Sequence, residues 1–236
     1  SFFSALENHA ALSLLDEVYA APKPGLVDRI DSGAHADMKF EDFILSTAAI
    51  TPFLREMAVT AYQSCFTLPA LPDATRETDA ALFSRLRELG KRAEREMYAA
   101  TGGVNTHKGA VFTLGLLSVG AGLLYAKRGK LSAEAILDEV QNLVGDTLRQ
   151  ELADLKAGEV GKAHGEAVLH RDGTGGVRSA AAKGFPVLRS VALPLLRQYE
   201  AEERPAEASV LNVLLHLILH VSDTNVLYRG GKDALL

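Results

Sequence analysis

Apolar residues recur at three- and four-residue steps along almost the whole chain, and every interruption falls on proline or glycine. Phe3, Leu6, Ala10, Leu14 and Val18 keep this period, which predicts a first helix over about residues 3–21. Pro22 and Pro24 end it, since each lacks a backbone N–H and restricts its neighbour. No period holds from Gly25 to Asp37, which reads as a loop. Residues 40–66 are helical again, with Pro52 a kink or break, and Pro69 and Pro72 mark a turn. Arg76 to Ala100 carries charges on one side and Leu82, Leu86 and Leu89 on the other. Thr101 to Asn105 breaks the pattern, and an apolar, glycine-bearing helix runs from His107 to Arg128, stopped by Lys127-Arg128-Gly129. Its glycines cost helix propensity and point to close helix packing or ligand approach. Ser132 caps a helix to about Leu155, Gly158–Gly176 is a glycine-rich loop, and helices cover 180–199 and 206–227.

Alternating β-branched runs bounded by turns are absent, so the expectation is all-α: one domain over 1–236, a bundle of eight or so helices with functional loops at the helix ends. A chain of 236 residues with 47% hydrophobic and 23% charged residues suits such a core. It buries roughly 70–75% of its unfolded surface and needs no staple. The charge balance of 25 basic against 30 acidic residues argues against a general nucleic-acid or membrane-surface binder. With 6% aromatics and no Trp, the chain offers no stacking platform. The lone Cys65 forms no internal disulfide, fits a reducing cytoplasm and reads as inert packing. The first helix is too polar for a signal peptide, and Val210 to Leu227 is too polar for a membrane span and reads as a buried core helix.

Polar residues crowd at the helix breaks. Pro22-Lys23-Pro24-Gly25-Leu26-Val27-Asp28, then Gly33-Ala34-His35-Ala36-Asp37-Met38, bring a cation, carboxylates and an imidazole together. Two readings stand: a Mg²⁺ and phosphate site, or a loop in which Asp28 and Asp37 serve as N-caps. Thr101-Gly102-Gly103-Val104-Asn105-Thr106-His107-Lys108-Gly109 opens a helix with glycines and a lysine, the mechanics of an anion cradle. It lacks the lysine spacing and preceding strand of a Walker loop. The other reading is a plain cap by Asn105 or Thr106.

A third cluster, Gly161-Lys162-Ala163-His164-Gly165-Glu166 with Gly173 to Arg178, is a loop that closes over an anion or a surface linker with Lys162 and Arg171 solvated. In the fourth, Asp223 sits in an apolar helix near Asn225 and Arg229. A buried carboxylate there demands a cation, donors or a pairing with Arg229. His216 and His220 share one helix face without a third ligand and read as hydrogen-bonded core residues.

In this order the clusters resemble the triphosphoribosyl-dephospho-coenzyme A synthase family. The resemblance rests on Pro22–Asp28, on Gly33-Ala34-His35 with Asp37-Met38, on Gly103–Gly109, and on Asp223-Thr224-Asn225-Val226 with Arg229-Gly230-Gly231. It covers nearly the whole chain. It implies an all-α enzyme that joins ATP to 3′-dephospho-CoA and releases adenine. The product, 2′-(5″-triphosphoribosyl)-3′-dephospho-CoA, passes to a transferase that loads the acyl-carrier protein of citrate lyase or malonate decarboxylase.

That task calls for Mg²⁺ as cofactor. Asp28, Asp37 and Asp223 would bind it or face the ribose. Lys23, His107, Lys108 and Arg229 would hold phosphates, with Arg178 and Asn225 also in the nucleotide site. Asn105 and Thr106 would position the nucleotide, and Asp28, His35, Asp37 and His107 are the candidate catalytic groups. The chain departs from the family pattern in three ways. Ala180 stands at a usually acidic position two residues after Arg178, for which Glu166 could substitute only if the loop folds that way. Ile44 and Leu45 stand where basic residues are frequent, and the chain stops soon after Gly231, as if a family tail were missing. The apolar helical surface allows for a homodimer. Two other classes compete: an all-α nucleotide hydrolase without transfer, and a non-catalytic helical protein that binds a carrier or lyase subunit.

Overall fold

The computed structural model describes residues 1–66, 78–157 and 176–220. These residues are all-α: α1 (Phe2–Tyr19), α2 (Phe40–Ser64), α3 (Asp79–Ala100), α4 (Lys108–Ala126), α5 (Ala133–Ala157), α6 (Gly176–Ala182), α7 (Leu193–Ala201) and α8 (Ala206–His220), with a π-helical turn at Leu188–Ala192 before α7. There is no strand among them. Contacts group the chain into two compact units, one of Ser1–Glu139 with Pro205–Leu211, the other starting at Val140 and resuming after Leu211.

In the first unit α2 packs against α1, α3 and α4. Ile50, Leu14, Ala93, Met97 and Val111 make a shared core. α4 is apolar around its whole circumference, as a helix enclosed by others must be. It is the one described helix long and apolar enough to cross a membrane, and over half of that stretch is buried inside the protein. Its glycines lie where α2 comes close: a Cβ on Gly122 would sit 2.3 Å from the Ala58 carbonyl oxygen, and one on Gly115 would sit 2.7 Å from Met57 Sδ.

Local chemistry sets the ends. Ser1 caps α1, Thr78 caps α3, and Ser132 accepts from the Ala135 N–H before α5. At α2 the N-cap is Lys39, not Asp37, and the Asp42 carboxylate accepts the Lys39 N–H at 2.9 Å. α2 runs through Pro52 as one helix, so the expected break is absent. The proline ring removes a single hydrogen bond, and the helix is held on three sides by its neighbours. At the end of α4 the left-handed residue is Arg128, not Gly129, and the Gly129 N–H closes back on the Leu124 carbonyl.

In the second unit the expected continuous helix over 180–199 is broken. Gly184 and Phe185 both take positive φ, and a Cβ on Gly184 would meet the Gln141 Oε1 at 2.5 Å. Ala192, Tyr199 and Val213 form its core, with Leu188, Leu195 and Leu217 packed against them. α8 is not a fully buried helix: Leu215, Ile218 and Leu219 are exposed, Leu219 to 79%. His220 is exposed as well, its Nδ1 bonded to the His216 carbonyl at 2.7 Å, so the expected core placement does not hold for it. Cys65 is half-buried at the end of α2, with its thiol over the Ala61 carbonyl. The Pro69–Pro72 turn and the 158–175 loop lie outside the described residues.

Candidate active site

The site forms in the first unit, where two polar loops meet the ends of buried helices. The 20–39 loop is folded tightly on itself. Gly33, at φ +56°, packs against the Gly25–Leu26 backbone so closely that a Cβ would lie 2.5 Å from the Gly25 carbonyl carbon. Asp28 is the hub of this loop and is only 3% exposed. Its Oδ2 accepts the Lys23 N–H at 2.8 Å, and its Oδ1 accepts the N–H groups of Ile30 and Asp31 at 2.7 and 3.1 Å. Burial works to raise its pKa, but these three donors and the Lys23 charge outweigh it and hold the carboxyl below the ordinary aspartate value. Asp28 is therefore not an N-cap: the loop takes three of the four lone-pair sites of its carboxylate and leaves one on Oδ2.

Lys23 is the second buried charge, 4% exposed. Its Nζ donates to the Glu17 carbonyl at 2.8 Å and to Glu17 Oε1 at 2.6 Å, at the end of α1. Glu17 escaped the motif reading because it lies inside the first helix, where a lone acid looks like a solvated face. An ammonium has three donors, so one remains after Glu17 is served.

The second loop enters α4. Thr101 at the end of α3 donates toward the Met97 and Val104 carbonyls, and Gly102 and Gly103 take positive φ to turn the chain. His107 occupies the N-cap position of α4 but gives no side-chain cap. Neither cap expected from Asn105 or Thr106 is present: Asn105 is exposed, and Thr106 Oγ1 is buried without a partner. The N-terminus of α4, with its positive end and unsatisfied N–H groups, is thus left without a side-chain acceptor.

His107 is 5% exposed. Its Nδ1 meets Ser46 Oγ of α2 at 2.7 Å, its own N–H points at Met97 Sδ at 3.2 Å, and the Phe43 ring stands edge-on at 5.0 Å. Its Nε2 is buried and has no partner. Burial first, and the Lys23 charge second, press its pKa down to about 4. The ring is neutral at pH 7. Ser46 was missed by the sequence reading; the available signal was a serine and a threonine inside an otherwise apolar helical face. Lys108 is half-exposed and pairs loosely with Glu94 at 3.5 Å.

The other candidates are placed as follows. His35 is half-buried, and its Nδ1 is buried without a partner. Asp37 is exposed. Arg178 lies in α6 in the second unit. Asp223, Asn225 and Arg229, along with Glu166, lie outside the described residues. Among the described residues no three His, Cys, Asp or Glu side chains are grouped to hold a metal.

Among the described residues three buried polar atoms lack partners: His35 Nδ1, Thr106 Oγ1 and His107 Nε2. Orphans of this kind are costly, and where a site binds a polar ligand they are the atoms that meet it. Two of the three sit at the start of α4, next to Lys108, with the charge of Lys23 felt at His107. The described residues thus define an all-α protein with buried, unpartnered polar atoms beside an uncapped helix N-terminus. The chain belongs to the CitG family, ATP:dephospho-CoA triphosphoribosyl transferase, whose model matches residues 3–236.

Its relatives agree. A probable 2-(5″-triphosphoribosyl)-3′-dephosphocoenzyme-A synthase of Pectobacterium carotovorum is 37% identical over 98% of this chain and 72% of its own length. The synthase of that name from Klebsiella pneumoniae is 36% identical over 94% of this chain and 70% of its own length. A probable one from Streptococcus pyogenes is 35% identical over 98% of this chain and 78% of its own. No solved structure matches the chain significantly.

Proposed function

We propose that this protein transfers the 5-triphosphoribosyl group of ATP to 3′-dephospho-CoA, with release of adenine. The ribose C1′–N9 bond of ATP breaks, and a C1′–O bond to the 2′-hydroxyl of dephospho-CoA forms. The acceptor hydroxyl loses a proton and the departing adenine gains one. The observation that carries this reading is the α4 entrance: an uncapped helix N-terminus carrying buried, unpartnered Thr106 and His107 beside Lys108, in a chain of this family.

A triphosphate with about four negative charges needs positive potential and fixed donors. The α4 N-terminus, Lys108 and the remaining donor of Lys23 supply them, and Thr106 and Asn105 orient the nucleotide. His35 and His107 are the imidazoles at hand for contacts to the bound nucleotide. Mg²⁺ would neutralise part of the triphosphate charge. Among the described residues no group of three ligands is assembled, and Asp28 gives three of its four lone-pair sites to the loop, so most of the coordination would come from the triphosphate itself. We therefore assign Mg²⁺ to the incoming nucleotide. The product goes to an acyl-carrier-protein transferase, and we place the protein in the cytoplasm.

The test is chromatography of the protein with ATP and Mg²⁺, with and without 3′-dephospho-CoA. Adenine formed together with a triphosphoribosylated dephospho-CoA mass supports the transfer. Adenine formed equally without acceptor supports a hydrolase instead, and no adenine from folded protein overturns both.

A further inference from the structure

Ser46 and His107 form a closed pair whose protons can be counted. Ser46 is fully buried in α2, and its hydroxyl has a single partner, His107 Nδ1 at 2.7 Å. A neutral imidazole carries one proton, on Nδ1 or on Nε2. If Nδ1 held it, Nδ1–H would donate to Ser46 Oγ, and the serine proton would be stranded in the core beside an already unpartnered Nε2. If Nε2 holds it, the serine O–H donates to Nδ1 and both atoms are satisfied. One stranded polar atom, Nε2–H, then remains in place of two. Each stranding costs the desolvation of that group, so the second arrangement wins.

We propose that Ser46 is a positioning residue that locks His107 as the Nε2–H tautomer, and that His107 serves as a neutral hydrogen-bond donor to a phosphate oxygen of the triphosphate, not as the base. The second half rests on the transferase reading above. The surroundings favour an anionic acceptor: Lys23 adds positive potential at the ring, Lys108 is the next residue, and the helix N-terminus opens there. The same Lys23 charge and the burial oppose imidazolium, so the ring donates without ionising. A base would need the opposite tautomer, with its lone pair on Nε2.

The full chain labelled with ¹⁵N-histidine tests this, with His107 assigned by the signal lost in His107→Gln. Long-range proton–nitrogen correlation should show a protonated Nε2 and a bare Nδ1 at neutral pH. Added inorganic tripolyphosphate should shift the Nε2–H signal. A protonated Nδ1, or an Nε2–H unmoved by saturating tripolyphosphate, overturns the proposal, whatever the activity. In adenine release, His107→Gln keeps an amide donor where Nε2–H stood but cannot take up a proton. It should stay within about tenfold of the parent, while His107→Ala falls about a hundredfold or more. A folded His107→Gln as inactive as His107→Ala overturns the donor role. Absence of adenine from the parent would sink the transferase reading, and the tautomer spectrum would still judge the Ser46–His107 assignment.

Discussion

The Nζ of Lys23 lies 2.6 Å from Glu17 Oε1, with the lysine side chain buried and the glutamate half in solvent. The buried ammonium is thus held by a partner that water can help to replace. The pair itself adds little stability, because its acidic half is exposed. Glu17→Gln keeps the backbone acceptor of Lys23 and removes the competing charge. We expect a shift in unfolding free energy under about 1 kcal/mol and tighter binding of tripolyphosphate by calorimetry. Lys23→Ala should weaken that binding by about tenfold to a hundredfold, the value of a charge-assisted hydrogen bond. Unchanged affinity in Lys23→Ala would remove Lys23 from the site.

Lys108 behaves differently. Its contact with Glu94 is long and exposed, so its removal should leave thermal stability within about 0.5 kcal/mol. The prediction for Lys108→Ala is a raised KM for ATP in adenine release with an almost unchanged melting temperature. A large loss of stability would show Lys108 to be structural.

Much of this was readable in the chain. The 3.6-residue period located the helices, and Leu82, Leu86 and Leu89 are buried on the face of α3 where their spacing put them. Lys23, His35, Thr106 and His107 stand out in the sequence as candidates because unusual polar residues crowd between proline and glycine breaks. What escaped were partners made by packing. Glu17, Ser46 and Glu94 sit inside helices at ordinary helical positions, and only the approach of another element turns them toward the site. Asp28 was legible as an important carboxylate, but not as one consumed by three backbone N–H groups. That depends on the loop doubling back at Gly33. The break at Gly184–Phe185 was hidden for a like reason, since its alanine-rich flank has good helix propensity.

Gly33 and Gly25 separate the cost of backbone conformation from the cost of crowding. Both have positive φ, but a Cβ on Gly25 meets nothing within 4 Å, whereas one on Gly33 collides with the Gly25–Leu26 backbone. Gly25→Ala should cost about 1 kcal/mol. Gly33→Ala should cost about 3 kcal/mol or more and disrupt the Asp28 network with it. Denaturant melts of the two variants give the comparison, and equal costs would show that the loop is looser than its packing implies.

Acid sensitivity follows from His107 and Asp28 in two successive windows. His107 has a folded pKa of about 4, below its unfolded value of about 6.5. The unfolded chain therefore binds the proton first, and stability falls as pH drops from about 6.5 toward 4. The full shift corresponds to about 3 kcal/mol at the lower end. Asp28 acts below that. Its folded pKa lies under the unfolded value of about 3.9, so its contribution is complete above that pH and is lost as pH falls through the folded pKa. His107→Gln should flatten the stability profile between pH 6.5 and 4, within the windows set by these pKa values, and leave the steeper loss below pH 4 in place. Asp28→Asn should do the reverse, at a cost of about 2 to 3 kcal/mol at neutral pH, because the amide can accept from only one side of the loop. If His107→Gln retained the parent profile over the upper window, His107 would not be the neutral buried ring on which the α4 site depends.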